Sequence, residues 1–487
     1  MAFIYDQHFE HLLRRAGFGA RPDELDVYRR MAFTEAVETL LNYERIPDDV
    51  DSHLFESGYA QVVATNRLQG FVPNSVIADA QQRWLFRMLH TNRPLQEKMT
   101  LFWSNHFATA YSKLAGILGQ AEATRYLAGK PGDRDSGSVR GQIEMLRANA
   151  LGNFQTLLVE IAKDTAMLIW LDGRTNTRAM PQENFGREIM ELFTLGVGHF
   201  TEADVYAAAR VFTGWNLTRV NAAVPYLTFF YNAGQHDTNA KTFTFAIYPD
   251  GSKTIPARAG AGGMQDGLDL IAALARSPHT AALLARKLYR FFVSEFGDVD
   301  EEFVNRVSAT YFQSGYNIKA VMREVLMSRQ FWDERTRYAR YSWPVEFTIR
   351  AIKDVGWTGL SLNDVRVALT NMGQTLFDPP DVNGWEAGQS WFSTGAMLAR
   401  MNFASALAGN QKFALARSAA DHASTPQELL TWVLDSLKTA PLSPGVTTDL
   451  MDYLRATGPW TGSQAQLQNK VAGVVHLVAG APEYQFV

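Results

Sequence analysis

The 487-residue chain contains no cysteine. Disulfides, thiolate nucleophiles and cysteine metal centres are therefore excluded, and the redox state of the compartment is left open. Long apolar runs are missing too: no stretch approaches the roughly 18 residues that a membrane-spanning helix requires. Neither sign of charge dominates, with 46 Lys and Arg against 50 Asp and Glu and a net charge of −4. No basic block stands out, so the electrostatic footprint of a nucleic-acid binder is absent. The opening MAFIYDQHFEHLLRRAGFG lacks the basic start, apolar stretch and small-residue cleavage site of an export signal. A cytoplasmic location is expected for the chain as given, and a periplasmic or secreted one if such a signal has been trimmed. A phosphate-binding P-loop, HExxH, GxSxG and the dinucleotide pattern GxGxxG are all absent.

What is present is a well-cored composition, 46% hydrophobic and 20% charged, dominated by helical periodicity. HFEHLLRRAG, DELDVYRRMAFTEAVETLLNYE, ADAQQRWLFRMLHTN and LQEKMTLFWSNHFATAYSKLAG all read as amphipathic helices. The run GQIEMLRANALGNFQTLLVEIAKDTAMLIWLDG continues the pattern. After residue 216 aromatic and β-branched residues alternate around a PDG turn, which predicts a small hairpin. From MQDGLDLIAALAR helices resume and run nearly to the end. The sequence therefore predicts a single mainly α-helical body over 1–487, a bundle or α/α-type array, with a β-containing insertion at about 217–258.

The stretch PQENFGREIMELFTLG, residues 181–196, holds three glutamates, one arginine and no lysine. Pro181 suits a helix start and Gly196 a helix stop. Phe185, Ile189, Leu192 and Phe193 fall on one side, with Asn184, Arg187, Glu188 and Glu191 on the other. Glu188 and Glu191 stand three apart and repel, whereas a solvated face usually mixes signs. A working site and a plain salt-bridged face explain this pattern equally well. Glu183 is accounted for by the helix dipole. Thr201 with Asp204 three residues on reads as a capping box.

Three other places combine chemistry with unusual context. WSNHF sets Asn105 and His106 among aromatics, where an apolar environment would keep the imidazole neutral. NAGQHDTNAK offers His236, Asp237 and Lys241, although Asp237 also suits an Asx turn. FDPPDVNGWEAGQSWF is too rich in proline and glycine for regular structure, and long irregular loops are commonly functional. Its Trp385 and Trp391 offer flat faces of the kind that stack on sugar rings, or that fill a core.

These segments occur in one order, together with HLLRRAGFG near the start, the continuation GVGHFTEADVYAAARVFTGW and APEYQ at the end. In that order they resemble the bacterial family called domain of unknown function 1800, from about residue 8 to the last residues. The resemblance implies no established activity and no catalytic residues.

The leading expectation from the residues is a glycan-active enzyme, a glycoside hydrolase with a carboxylate pair as general acid and base. Glu188 is its acid and Glu191 or Asp237 its partner, with Arg187 holding one carboxylate ionised. Asn105, His106, Asn184 and His236 would bond substrate hydroxyls, and Trp385 and Trp391 would stack on the sugar. No cofactor is expected in this reading. The alternative is a metal-dependent enzyme in which Glu188, Glu191, His199 or His236 hold a divalent ion. A third reading is a non-catalytic binding or assembly protein whose tryptophan loop meets a partner.

Overall fold

The computed structural model describes residues 2–133, 138–219, 226–356, 359, 361–456 and 458–487, with side chains from residue 7 onward. Among the described residues, 23 α-helices make up most of the 61% helical content, so the body is mainly α as the periodicity predicts. The strands amount to two antiparallel pairs. Trp215–Arg219 lies beside Leu227–Tyr231 with Trp215 opposite Tyr231, and Lys241–Thr242 lies beside Thr254–Ile255. The PDG turn does reverse the chain, with Gly251 at φ +87°. The TFTFAIYP segment is irregular instead of extended, and buries Phe243 and Ile247. Residues 220–225, part of the anticipated insertion, lie outside the described residues.

Several runs that read as continuous helix are broken, one of them by its own capping residues. The 141–173 run divides into Gln142–Ala148, Phe154–Lys163 and Thr165–Trp170. Asn153 accepts the amide of Thr156 and Asp164 that of Met167, so each short polar side chain starts a new helix. The 23–44 run also splits, into Pro22–Arg29 and Phe33–Leu41, and 95–116 into Pro94–His106 and Tyr111–Leu118, there without a capping side chain at Ala32 or Ala110. Apolar spacing reports which residues face inward, and where caps are present they decide where the chain turns.

Buried apolar side chains from Phe9 to Tyr484 form a continuous core. Arginines stitch distant segments across it through backbone carbonyls. Arg350 donates to the carbonyls of Phe486 at 2.9 Å and Lys438 at 2.9 Å, and Arg15 to that of Thr336 at 2.6 Å. Tyr484 donates its hydroxyl to Asp354 at 2.7 Å, and Gln485 accepts from Arg400 at 3.0 Å. The HLLRRAGFG and APEYQ segments thus clasp the two ends of the chain to its middle. No helix among the described residues is long and apolar enough to cross a membrane.

The acidic helix spans Glu183–Glu191, beginning two residues later than Pro181 suggests. Gly196 takes φ +82° and, with Leu195, donates to the carbonyl of Met190, which ends the helical path. Its inner face buries Phe185, Ile189 and Met190, while Leu192 is half-buried. A Cβ on Gly186 would come within 3.0 Å of the Ala209 amide, so glycine lets this helix lie against helix Glu202–Val211. The Thr201–Asp204 capping box opens that second helix, and Asp204 also takes both donors of Thr244, which ties the β-containing segment down.

Candidate functional site

A cleft of about 770 Å³ opens beside the end of helix Pro94–His106. One wall comes from helix Pro278–Leu288 and the π-turn Tyr289–Val293 that continues it, which carry Arg286, Lys287 and Arg290. A π-turn shifts the helical register by one residue and recurs at functional sites. The following segment supplies Glu295, Asp298 and Glu301, while Phe102, Phe291 and Trp343 make the apolar floor. Asn105, His106 and Asn383 complete the lining, so the WSNHF segment and the proline–glycine loop meet here.

Lys287 is the deepest cation of that wall. Its ammonium donates to the Leu192 carbonyl at 3.0 Å and to His106 Nδ1 at 3.0 Å. His106 Nε2 lies 3.2 Å from the Phe193 carbonyl, so the neutral imidazole that fits both contacts carries its proton on Nε2. Burial, with the nearby lysine charge, pushes the His106 pKa well below its ordinary value, as the apolar setting of WSNHF predicts. Burial alone pulls Lys287 down to about 8, because no carboxylate opposes it. The partial negative charge of carbonyls at a helix C-terminus is what favours a cation here.

Glu295 is the carboxyl of interest on the other wall. Burial raises its pKa above the ordinary value, and Arg340 and the Tyr341 amide only partly reverse this. Its Oε2 accepts that amide at 2.7 Å. Arg286 is held by Glu301 at 2.7 Å on the rim.

The residues singled out from sequence divide among several places. Glu188 is half-buried, and burial followed by repulsion from Glu191 raises its pKa to about 6 despite Arg187. Neither glutamate is among the residues lining the cleft. Arg187 turns outward to a two-pronged bond with Glu202 at 2.9 and 2.6 Å, and Asn184 donates to Asp172 at 2.8 Å. The acidic helix borders the cleft only through the carbonyls that follow it, Leu192 and Phe193.

Asp237 and His236 belong to a closed ionic cluster and are not among the residues lining the cleft. Arg210 grips the Asp237 carboxylate at 2.7 and 3.2 Å and the Asn239 amide donates to it. Burial works the other way, but these bonds hold its pKa near 2, so it is a poor proton donor. His236 is fully buried between the Thr213 carbonyl at 2.8 Å and Asp266 at 3.2 Å. Asp266 also takes Lys241 at 2.5 Å and Arg258 at 2.5 Å.

The tryptophan loop packs inward. Trp385 is 4% and Trp391 5% exposed, so neither presents a free face. Asn105 accepts the Trp385 amide at 2.7 Å and donates to its carbonyl at 3.3 Å, which uses both ends of its own amide on the loop. A Cβ on Gly384 would fall 2.3 Å from Asn105 Oδ1, so the loop can approach only through glycine. Edges of both tryptophans do line a second hollow of about 630 Å³, which shares Asn383 with the cleft. His199 stacks on His279 at 3.6 Å instead of turning to the glutamates. Among the described residues, no group of three or more His, Asp or Glu side chains is arranged to share an ion.

Lys287, Arg290 and Glu295 escape a reading of the sequence. The only hint is ARKLYRFFVSEFGD, where three cations on neighbouring helical positions are embedded in aromatics and followed by acids.

The model of the family "Protein of unknown function (DUF1800)" matches residues 11–486, so the chain belongs to that family. No curated protein and no solved structure shows a significant match.

Proposed function

We propose that this member of the DUF1800 family is a glycan-active enzyme, a glycoside hydrolase whose substrate sits in the cleft beside Lys287. The observation that carries the reading is Glu295, a carboxyl whose pKa is raised by burial, set in a cleft that also presents Asp298. Such a carboxyl can protonate the glycosidic oxygen as the bond to the anomeric carbon breaks. Asp298, three residues on, takes the proton from the water that adds to that carbon. Water is consumed, and one hydroxyl forms on each product. Aromatic flooring with Asn383 and the two arginines suits a ligand with apolar ring faces and many hydroxyls. In this reading the acid and base roles pass from Glu188 and its expected partner, Glu191 or Asp237, to the cleft.

The test is a panel of oligosaccharides assayed for new reducing ends. Glu295→Gln keeps the shape and removes the transferable proton, so turnover should fall roughly 10²–10⁴-fold. Full activity in that variant, or no cleavage across neutral and acidic glycans, would remove the reading.

A further inference from the structure

The basic wall of the cleft is built for something the chain itself does not provide. Arg286 has Glu301, and Arg258, Arg210 and Lys241 each have an aspartate. Lys287, by contrast, has two neutral acceptors among the described residues, the Leu192 carbonyl and His106 Nδ1. An ammonium with three protons and two protein acceptors has one N–H left for the cavity that it lines. Arg290 lies one turn further along the same wall, half-buried and also lining the cavity. Residues three apart on a helix are neighbours on its surface. Buried cations are ordinarily matched by an anion, since an unmatched one carries the full desolvation cost. The floor beneath, Phe102, Phe291 and Trp343, is apolar and can cover a ring.

We infer that Lys287 and Arg290 form an oxyanion subsite, and that the glycan taken by the cleft carries a carboxylate on the sugar ring seated there. The inference rests on the cleft being the substrate site. It adds the class of sugar, an acidic one, and gives Lys287 the task of holding its charge. A carboxylate at this position matches the planar fork of arginine and the third proton of the ammonium together. The depressed basicity of free Lys287, due to burial alone, is the signature of a cation without its partner. An incoming anion favours the charged amine, so binding near pH 8.5 draws a proton from solution.

Calorimetric titration with glucuronate, glucose and inorganic sulfate, in two buffers of different ionisation enthalpy at pH 8.5, tests this. Glucuronate should bind at least about tenfold tighter than glucose, with net proton uptake. Lys287→Met and Arg290→Gln should each weaken glucuronate by about 10–100-fold, a clearly larger loss than either causes for glucose. Arg290 is partly exposed, so its variant gives an answer even if Lys287→Met folds poorly. Equal binding of glucuronate and glucose, binding without proton uptake, or sulfate binding as tightly as glucuronate would each overturn the acidic-sugar subsite. The hydrolase reading fails separately: glucuronate binding with no glycan cleaved removes that reading and leaves the subsite. Cleavage of neutral glycans with no preference for glucuronate removes the subsite and leaves the hydrolase.

Discussion

Lys241 and Lys287 are both cations set into the interior, in opposite electrostatic company. Lys241 is fully buried against Asp266, whose carboxylate also faces His236 and Arg258. Burial pushes the Asp266 pKa up, and those bonds more than reverse it, so the cluster is a closed set of matched charges. Lys287 has no such match among the described residues and opens on a cleft. The HD…K segment, one of the places the sequence offered for chemistry, is thus bound up in the scaffold. The lysine in a plain aromatic stretch is the one left with capacity to bind. In a folded interior, satisfied polar groups mark structure, and the group with a bond left to make marks a site.

The largest expected effect breaks the closed cluster. Asp266→Asn leaves Lys241 and Arg258 beside a neutral amide, and removing one partner of a buried ionic set costs about 3–5 kcal/mol. Urea unfolding of the two variants side by side checks the contrast. Lys287→Met should stay within about 1 kcal/mol of the parent, because relief of a desolvated charge offsets two acceptors left without a donor. The pH dependence sharpens it further. Lys287 has a folded pKa of about 8, below the roughly 10.4 of a free lysine. Between those values the unfolded chain binds more protons, so parent stability gains from this group as pH rises through that window. Lys287→Met should lack that gain. Equal losses in Asp266→Asn and Lys287→Met would erase the distinction between scaffold and site.

Next in size is Trp385. Its ring is buried and its backbone is bracketed by Asn105. Trp385→Ala should therefore cost roughly 3 kcal/mol of stability, as other large-to-small core changes do. A stacking platform would show the reverse pattern, an intact melting temperature with weakened sugar binding.

The difference between what was readable and what was not follows from distance along the chain. Helix content and the capping box at Thr201 depend on near neighbours, which periodicity and spacing report. The raised pKa of Glu188 was legible only in part: its repelling partner is three residues away, but burial is the larger cause. The cleft was not. The acceptors that hold Lys287 lie 95 and 181 positions away, and Glu295 owes its environment to Arg340 and Tyr341. The helix breaks at Asn153 and Asp164 were missed for a different reason. Both are short polar residues on an otherwise helical pattern, and only the direction of the chain shows that each one caps.

The smallest effect concerns Glu188, which stands between the two extremes of matched and unmatched charge. It is half-buried, beside Glu191, and Arg187 has turned away to Glu202. Its folded pKa of about 6 exceeds the ordinary carboxylate value. The neutral form is therefore the one the fold prefers: the stabilisation it brings is complete below about pH 4.3 and is lost as pH rises through 6. Above that, the ionised carboxylate is a mild burden. Glu188→Gln keeps the shape and removes the titration, so the variant should gain on the parent as pH rises from 4 to 7. Solvent screening at a half-exposed position keeps the gain under about 1 kcal/mol. Melting temperatures of both proteins across that range provide the check, and parallel curves would show that Glu188 carries no burden. Turnover of a cleaved glycan adds the functional half. Because Glu188 does not line the cleft, Glu188→Gln should leave the rate within about twofold, against roughly 10²–10⁴-fold for Glu295→Gln. A large loss at Glu188 with Glu295→Gln fully active would return the acid role to the acidic helix.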